Sequence, residues 1–300
     1  MRRPLSDDGR VGQDGRMNSE QTVPTALPDP ALLADLRALA ERVARAAGEL
    51  VRSGRPDQVQ VASTKSSPVD VVTQMDADSE ALLRRLILSE RPDDAILGEE
   101  EGHVAGASGL TWVIDPIDGT VNYLYGIPAY AISVAVVAGT PDPALWTPLA
   151  GCVFHVVDGR TWTASRGGGA TLDGRQLRVN AAKPLAQSLV GTGFGYASER
   201  RAAQALVLTH VLPLVRDIRR IGSAAIDLCM VADGSLDLVY ERGLNPWDMA
   251  AGGLVVTEAG GALTGLQGRP AGPDMTVAGA PASVEELAGI LAGLDADSGA

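Results

Sequence analysis

Trp112-Val113-Ile114-Asp115-Pro116-Ile117-Asp118-Gly119-Thr120 is the stretch on which the reading of this chain turns. Its apolar start, Trp112 to Ile114, suits a strand covered on both faces. It empties into a carboxylate-rich turn, where Pro116 fixes φ so that Asp115 and Asp118 can point into one volume. Gly119 then lets backbone N–H groups approach a ligand closely. Two carboxylates three residues apart, followed by a Gly-Thr step, suit a hard cation and a phosphate. Asp-Pro and Asp-Gly are also ordinary turn dipeptides, so this segment alone leaves a plain loop open.

Three further segments supply the same chemistry. Gly98-Glu99-Glu100-Glu101-Gly102 follows the short apolar run Ala95-Ile96-Leu97, so its acids stand at a strand end. Asn245-Pro246-Trp247-Asp248 leads into Met249-Ala250-Ala251-Gly252-Gly253. Asp248 therefore falls in the first turn of a helix opened by Pro246, with small residues suited to close packing. The run from Lys65 through Asp70 to Asp76 completes the set. Taken singly, each acid reads as a solvated or capping residue; together, acids at separate strand and helix ends form a candidate cation site.

In this order the four segments resemble the inositol monophosphatase family of Mg²⁺-dependent, lithium-sensitive phosphatases. The likeness runs from about Leu32 to about Leu294 and takes in Gly222-Ser223-Ala224-Ala225 and Glu241. It implies an α/β (α+β) fold, a five-layer αβαβα sandwich of the inositol monophosphatase and fructose-1,6-bisphosphatase type. The site would lie between an N-terminal α+β half, about 29–184, and a C-terminal α/β half, about 185–295. The resemblance further implies that Glu99, Asp115, the backbone carbonyl of Ile117, Asp118 and Asp248 are ligands of two or three Mg²⁺ ions, for which Mn²⁺ can substitute. Gly119 and Thr120 N–H groups would hold phosphate oxygens. Thr120, oriented by Asp76, would position the attacking water with Glu99 as its catalytic partner and Glu100 as a supporting acid. Lys65 matches a loop lysine that affects a further, weaker metal site; its plain reading is a solvated surface lysine. Glu241 matches the acid that contacts inositol hydroxyls, and Gly222, Ser223 and Ala224 match the substrate-side loop; the plain reading of Glu241 is an exposed charge after an edge strand. The implied reaction is metal-assisted hydrolysis of inositol 1-phosphate by a homodimer. Rival substrates are histidinol phosphate, fructose 1,6-bisphosphate and 3′-phosphoadenosine 5′-phosphate. A rival of another class is a regulatory protein of the same fold that binds a partner.

The candidate ligands are all oxygen, with no clustered His or Cys, which selects Mg²⁺, Mn²⁺ or Ca²⁺ over zinc and copper. His103, His155 and His210 have no partner acid at suggestive spacing and read as structural or surface residues. A net charge of −12 argues against direct binding to nucleic acid or an anionic membrane. An acidic protein that takes a phosphorylated substrate must supply positive charge locally, most simply as bound metal. Cys152 and Cys229 sit in apolar runs and read as reduced core thiols. No apolar run reaches membrane-spanning length and residues 1–30 lack a signal core, so the expected compartment is the cytoplasm. Residues 1–28 read as a disordered N-terminal tail, in which Met17 is an alternative start.

Folding should begin at Asp29-Pro30, an N-cap followed by a first helical proline. Leu36, Leu39, Val43, Ala47 and Leu50 recur at helical spacing, and a second helix carries Leu82, Leu83, Leu86 and Ile87 from near Asp76 to Arg91. Strands are expected at 95–97, 111–114, 129–138, 149–157 and 161–164. After about residue 185 helix and strand alternate: a strand over 189–192, a helix over 199–214, a helix over 222–232, a strand over 236–240, the helix after Trp247 and a last helix over 283–291.

Overall fold

The computed structural model describes residues 29–65 and 70–298. The tail expected over 1–28, with Met17, lies outside the described residues, as do Ser66 to Val69. Helix α1 (Pro30–Gly54) starts where capping chemistry put it, with the Ala31 N–H donating to Asp29 Oδ1 at 2.9 Å. Its stripe of Leu33, Leu36, Leu39, Val43, Ala47 and Val51 is buried. A short antiparallel pair, β1 (Val61–Thr64) and β2 (Val71–Thr73), leads into α2 (Gln74–Glu90).

The chain then lays down β3 (Ala95–Gly98), β4 (Gly102–Val104), β5 (Leu110–Asp118), a one-turn helix α3 (Thr120–Tyr125), β6 (Ala131–Ala138), β7 (Thr147–His155), β8 (Thr161–Ser165), β9 (Gly169–Leu172) and β10 (Arg175–Gln176). Together these strands form one eight-stranded sheet in the order β10-β9-β8-β7-β6-β5-β3-β4. The remainder is β11 (Leu189–Thr192), α4 (Ser198–Val211), β12 (Asp217–Arg219), α5 (Ala224–Asp233), β13 (Leu238–Glu241), α6 (Pro246–Glu258), β14 (Ala262–Thr264), β15 (Thr276–Gly279) and α7 (Pro281–Gly293). Its strands make a five-stranded sheet, β12-β11-β13-β15-β14.

Helices α1 and α2 cover one face of the large sheet, and α5 and α6 fill the space between the sheets. Helices α4 and α7 cover the far face of the small sheet, which completes five layers, αβαβα. A helix in the middle layer has no solvent side, and α6 accordingly buries Met249 through Val256 without a break. Close packing there is set by small residues: a Cβ at Gly252 would lie 2.8 Å from Leu228 Cβ of α5, and one at Gly151 of β7 would lie 3.1 Å from Ala251 Cα. None of the described helices is long and apolar enough to cross a membrane. Cys152 and Cys229 are buried and free.

Two expectations are corrected. The deciding stretch is not a strand that ends in a turn at Asp115: β5 continues through Asp118, with a bulge against β6 between the pairs Asp115–Ser133 and Asp118–Ala131. Pro116 has no N–H for the ladder, and a bulge is where a sheet accommodates such a residue. His155 does have a partner acid, since its Nδ1 lies 2.9 Å from Asp158 Oδ1. Burial lowers its pKa below the usual histidine value, so its role in the β7–β8 hairpin is structural.

Candidate active site

The bulge in β5 turns Asp115 and Asp118 to one side, where Asp248 of α6 meets them. Each of the three offers an oxygen, and these oxygens lie within 4.8 Å of one another. Asp248 is the third residue of α6, and its Oδ2 accepts the Asn245 N–H at 2.7 Å, so capping the helix also fixes the carboxylate. Asp118 crosses between layers: it accepts from the Ser223 hydroxyl and from the N–H groups of Ala225 at 2.7 Å and Ala224 at 3.3 Å. It thereby ties the large sheet to the first turn of α5.

Crowding of like charge marks the cluster. Burial first, then the charges of Glu99, Asp118 and Asp248, push the Asp115 carboxyl well above the usual range. Burial raises Glu99 to about 7 against the pull of Lys65, and Asp118 to about 6 against its three donors. Asp248 is also pushed well up, by burial and then by Asp118 and Glu99. Two unit charges ~4 Å apart repel by about 4 kcal/mol at an effective dielectric of 20. A bound cation relieves that repulsion, and the all-oxygen donor set fits a hard divalent ion.

Glu99 and Glu100 are held from two sides. Lys65 Nζ lies 2.8 Å from Glu99 Oε1 and 2.6 Å from Glu100 Oε1, so the lysine is not simply solvated. From beneath, Glu80 of α2, fully buried, accepts the N–H groups of Glu100 at 2.8 Å and Glu101 at 2.9 Å while paired with Arg84 at 2.8 Å. The Glu80–Arg84 pair is an i,i+4 pair on the inner face of α2 that the sequence analysis did not single out.

Thr120 opens α3 beside the cluster. Its hydroxyl lies 3.1 Å from Asp76 Oδ1 and 3.0 Å from the Ile117 carbonyl, in reach of both acceptors. Asp76 is fully buried and held through its other oxygen by the Thr73 N–H at 2.7 Å and the Thr73 hydroxyl. Burial nevertheless raises its pKa above the ordinary carboxylate value. Gly119 has φ +97°, and a Cβ there would lie 2.9 Å from the Ala129 carbonyl, so no side chain fits between the bulge and α3. Asn122 Nδ2 donates to the carbonyls of Ile221 at 3.0 Å and Gly222 at 3.3 Å, seating the Gly222-Ser223-Ala224 loop against this corner.

These residues line a cleft of about 590 Å³ at the strand ends of the two sheets, with Lys65, Glu99, Asp115, Ile117, Asp118, Gly119, Thr120, Gly222, Ser223, Ala224, Glu241 and Asp248 all on its wall. Asp76 and Glu100 stand behind it, touching Thr120 and Lys65. Glu241 ends β13 half-buried, not as an exposed edge charge. Sequence reasoning missed Tyr196, Arg200 and Asp227, which also line the cleft. Asp227 had a legible signal: it is the one charge inside the apolar run Ala224 to Val231.

A cluster of buried carboxylates beside an aimed hydroxyl, in a five-layer sandwich of helices and sheets, suits a hydrolase of the phosphatase class, and the comparisons agree. Residues 32–295 match the Inositol monophosphatase family, and the chain belongs to that family. It is 44% identical over 277 residues to Inositol-1-monophosphatase SuhB of Mycobacterium tuberculosis (strain ATCC 25618 / H37Rv), covering 86% of this chain and 93% of that protein. It is 36% identical over 233 residues to Nus factor SuhB of Pasteurella multocida, covering 77% of this chain and 85% of that protein. The solved structure of Mycobacterium tuberculosis SuhB superposes with a TM-score of 0.74 at 42% identity, over 88% of this chain and 98% of that one.

Proposed function

We propose that this phosphatase hydrolyses inositol 1-phosphate to myo-inositol and phosphate with Mg²⁺, as a homodimer. The observation that carries the reading is the meeting of Asp115, Asp118 and Asp248 within 4.8 Å, beside the Thr120 hydroxyl. Asp115, Asp118 and Asp248, with Glu99 and the Ile117 carbonyl, would hold two or three divalent cations. Bound there, the cations supply the positive charge that an acidic protein lacks for a phosphate, and lower the pKa of water. The chain's own groups do the rest. The Thr120 hydroxyl, aimed by Asp76, orients the attacking water in line with the leaving alkoxide, while the N–H groups of Gly119 and Thr120 hold phosphate oxygens. Glu100, drawn to Lys65, steadies the loop that carries Glu99. Glu241 accepts hydrogen bonds from the polyol, and the Gly222-Ser223-Ala224 loop borders it.

A phosphate-release panel of inositol 1-phosphate, histidinol phosphate, fructose 1,6-bisphosphate and 3′-phosphoadenosine 5′-phosphate, with and without Mg²⁺, tests this. Preference for inositol 1-phosphate, lost on chelation and inhibited by lithium, is the expected result; preference for another ester replaces the substrate. The likeness to a protein named Nus factor SuhB supports a second reading, a regulator that binds a partner. Absence of turnover on all four esters with Mg²⁺ present would favour it. Sedimentation as a monomer at micromolar concentration would remove the dimer alone.

A further inference from the structure

Arg200, the third residue of α4, stands on the cleft wall with its charge unpaired. It makes no ion pair among the described residues, and its Nε is buried without a hydrogen-bond partner. A guanidinium N–H withdrawn from water and left without an acceptor destabilises the fold, so packing alone gives no reason to keep a charge there.

Two glycines make room for it. A Cβ at Gly195 would lie 2.7 Å from Arg200 Cδ, and one at Gly243, where φ is +99°, would lie 2.9 Å from its Nη1. The stem thus lies on the loop after β11 and the guanidinium on the loop after β13. The same loops place Glu241, since a Cβ at Gly193 would collide with its carboxyl. Glu241 and Arg200 therefore take neighbouring places, over Gly193 and Gly195, on one stretch of wall. That stretch is fixed from α4: Gln204 Oε1 accepts the Gly195 N–H at 2.9 Å, and Arg201 Nη1 donates to the Tyr196 carbonyl at 2.7 Å. Of the other arginines on the wall, Arg242 donates to the Ser298 carbonyl at 2.7 Å, and Arg220 lies against Gly222 beside Asn122.

A net charge of −12 repels a doubly phosphorylated substrate at long range, so its second phosphate needs a partner close by. A guanidinium fork matches phosphate oxygens in shape and charge. We propose that the cleft takes a further class of substrate, phosphate monoesters whose polyol leaving group carries a second phosphate, and that Arg200 binds that second phosphate while the first is hydrolysed at the carboxylate cluster. The proposal rests on the phosphatase reading of the site and not on inositol as the leaving group. The reaction is unchanged: water adds to phosphorus, the bond to the leaving oxygen breaks, and that oxygen takes up a proton.

Fructose 1,6-bisphosphate and fructose 1-phosphate differ only in the second phosphate. With free Mg²⁺ held constant, phosphate release by the full chain should show kcat/KM about tenfold or more higher on the bisphosphate, the size of one hydrogen bond between charged groups. Arg200→Met, which keeps a stem on Gly195, should bring the two esters within about twofold of each other, chiefly by raising KM on the bisphosphate. Raising KCl from about 0.05 M to about 0.5 M should shrink the parent's preference and leave the variant's ratio where it is, a response that a packing role would not give. Should Arg200→Met lack a cooperative melt, Arg200→Gln is measured the same way. A parent without preference or without turnover on either fructose ester, equal losses on both esters in Arg200→Met, or a preference lost in Arg220→Met and kept in Arg200→Met would each overturn the proposal while inositol 1-phosphate hydrolysis stands. A parent that prefers the bisphosphate through Arg200 yet leaves inositol 1-phosphate untouched would remove the inositol reading and leave this one in place.

Discussion

Asp118 shows how much one side chain can hold. It belongs to the carboxylate cluster and also accepts three hydrogen bonds at the start of α5. Asp118→Asn keeps the size and one acceptor oxygen but loses the charge, so turnover should fall by at least about a hundredfold, more than outer partners of a metal site cost. The cap survives in weaker form, and the loss of stability should be about 1 kcal/mol by urea unfolding. Activity near the parent's would reduce Asp118 to a capping residue. Thr120→Ala removes the hydroxyl between Asp76 and the Ile117 carbonyl, and kcat should fall about a hundredfold or more while Mg²⁺ affinity changes little. A large loss of affinity at an unchanged saturating rate would make Thr120 a support of the metal site instead. Both residues were legible because each follows an apolar run within a turn-forming sequence. Glu80 and Arg84 were not, because a charged i,i+4 pair on a helix looks the same whether it faces solvent or a neighbouring loop.

At the level of elements, α2 reaches the site twice, through Asp76 at its start and through Glu80 one turn later. Glu80 holds the N–H groups of Glu100 and Glu101 and is itself held by Arg84, which is only 9% exposed. Breaking a buried pair by removing one charge typically costs about 3–5 kcal/mol. Glu80→Gln should therefore lower the unfolding free energy read by urea by an amount in that range and weaken Mg²⁺ affinity roughly ten- to a hundredfold, because the loop bearing Glu99 loses its anchor. Isothermal titration with Mg²⁺ reads the second effect, and unchanged affinity would show the loop is held by Lys65 alone. The long elements, α1, α2, β5 to β8 and α6, were legible from period and capping. The pair β1–β2, strand β12 and the edge strands β4 and β14 were not, since runs of three or four residues carry little period and form only when a neighbour offers its edge. The continuation of β5 through Pro116 escaped for a related reason: a bulge is a property of two strands, and one sequence window contains only one of them.

Across the molecule, the site exists only where both sheets and the layer between them meet, and this has a thermodynamic signature. Glu99 at about 7 and Asp118 at about 6 titrate above ordinary carboxylates, and Asp115 and Asp248 are raised as well. Without metal the folded state then holds more protons than the unfolded chain above about pH 4, so the stability from these groups is present below that pH and lost as pH rises through 6 to 7. Acids held low, such as Asp94 and Asp237, titrate beneath that window. The melting temperature in chelator should accordingly drop from pH 5 to pH 8. A fixed Mg²⁺ concentration, a hundred times its dissociation constant at pH 8, should add about 2.7 kcal/mol there, roughly 5–10 °C, and less at pH 5, where protons compete for the same carboxylates. A flat profile in chelator, or equal gains at both pH values, would mean the acids are solvated. The layer order itself came to the sequence reading only through resemblance, because no single window reveals what covers a helix's second face. That second face has a consequence for descent: with Gly252 against Leu228 and Gly151 against Ala251, a methyl group gained on either helix of the middle layer must be answered by a loss on its neighbour. Lineages should therefore drift freely along the outer sides of α1 and α7 and change α5 and α6 only in paired steps, so the middle layer keeps the slower clock.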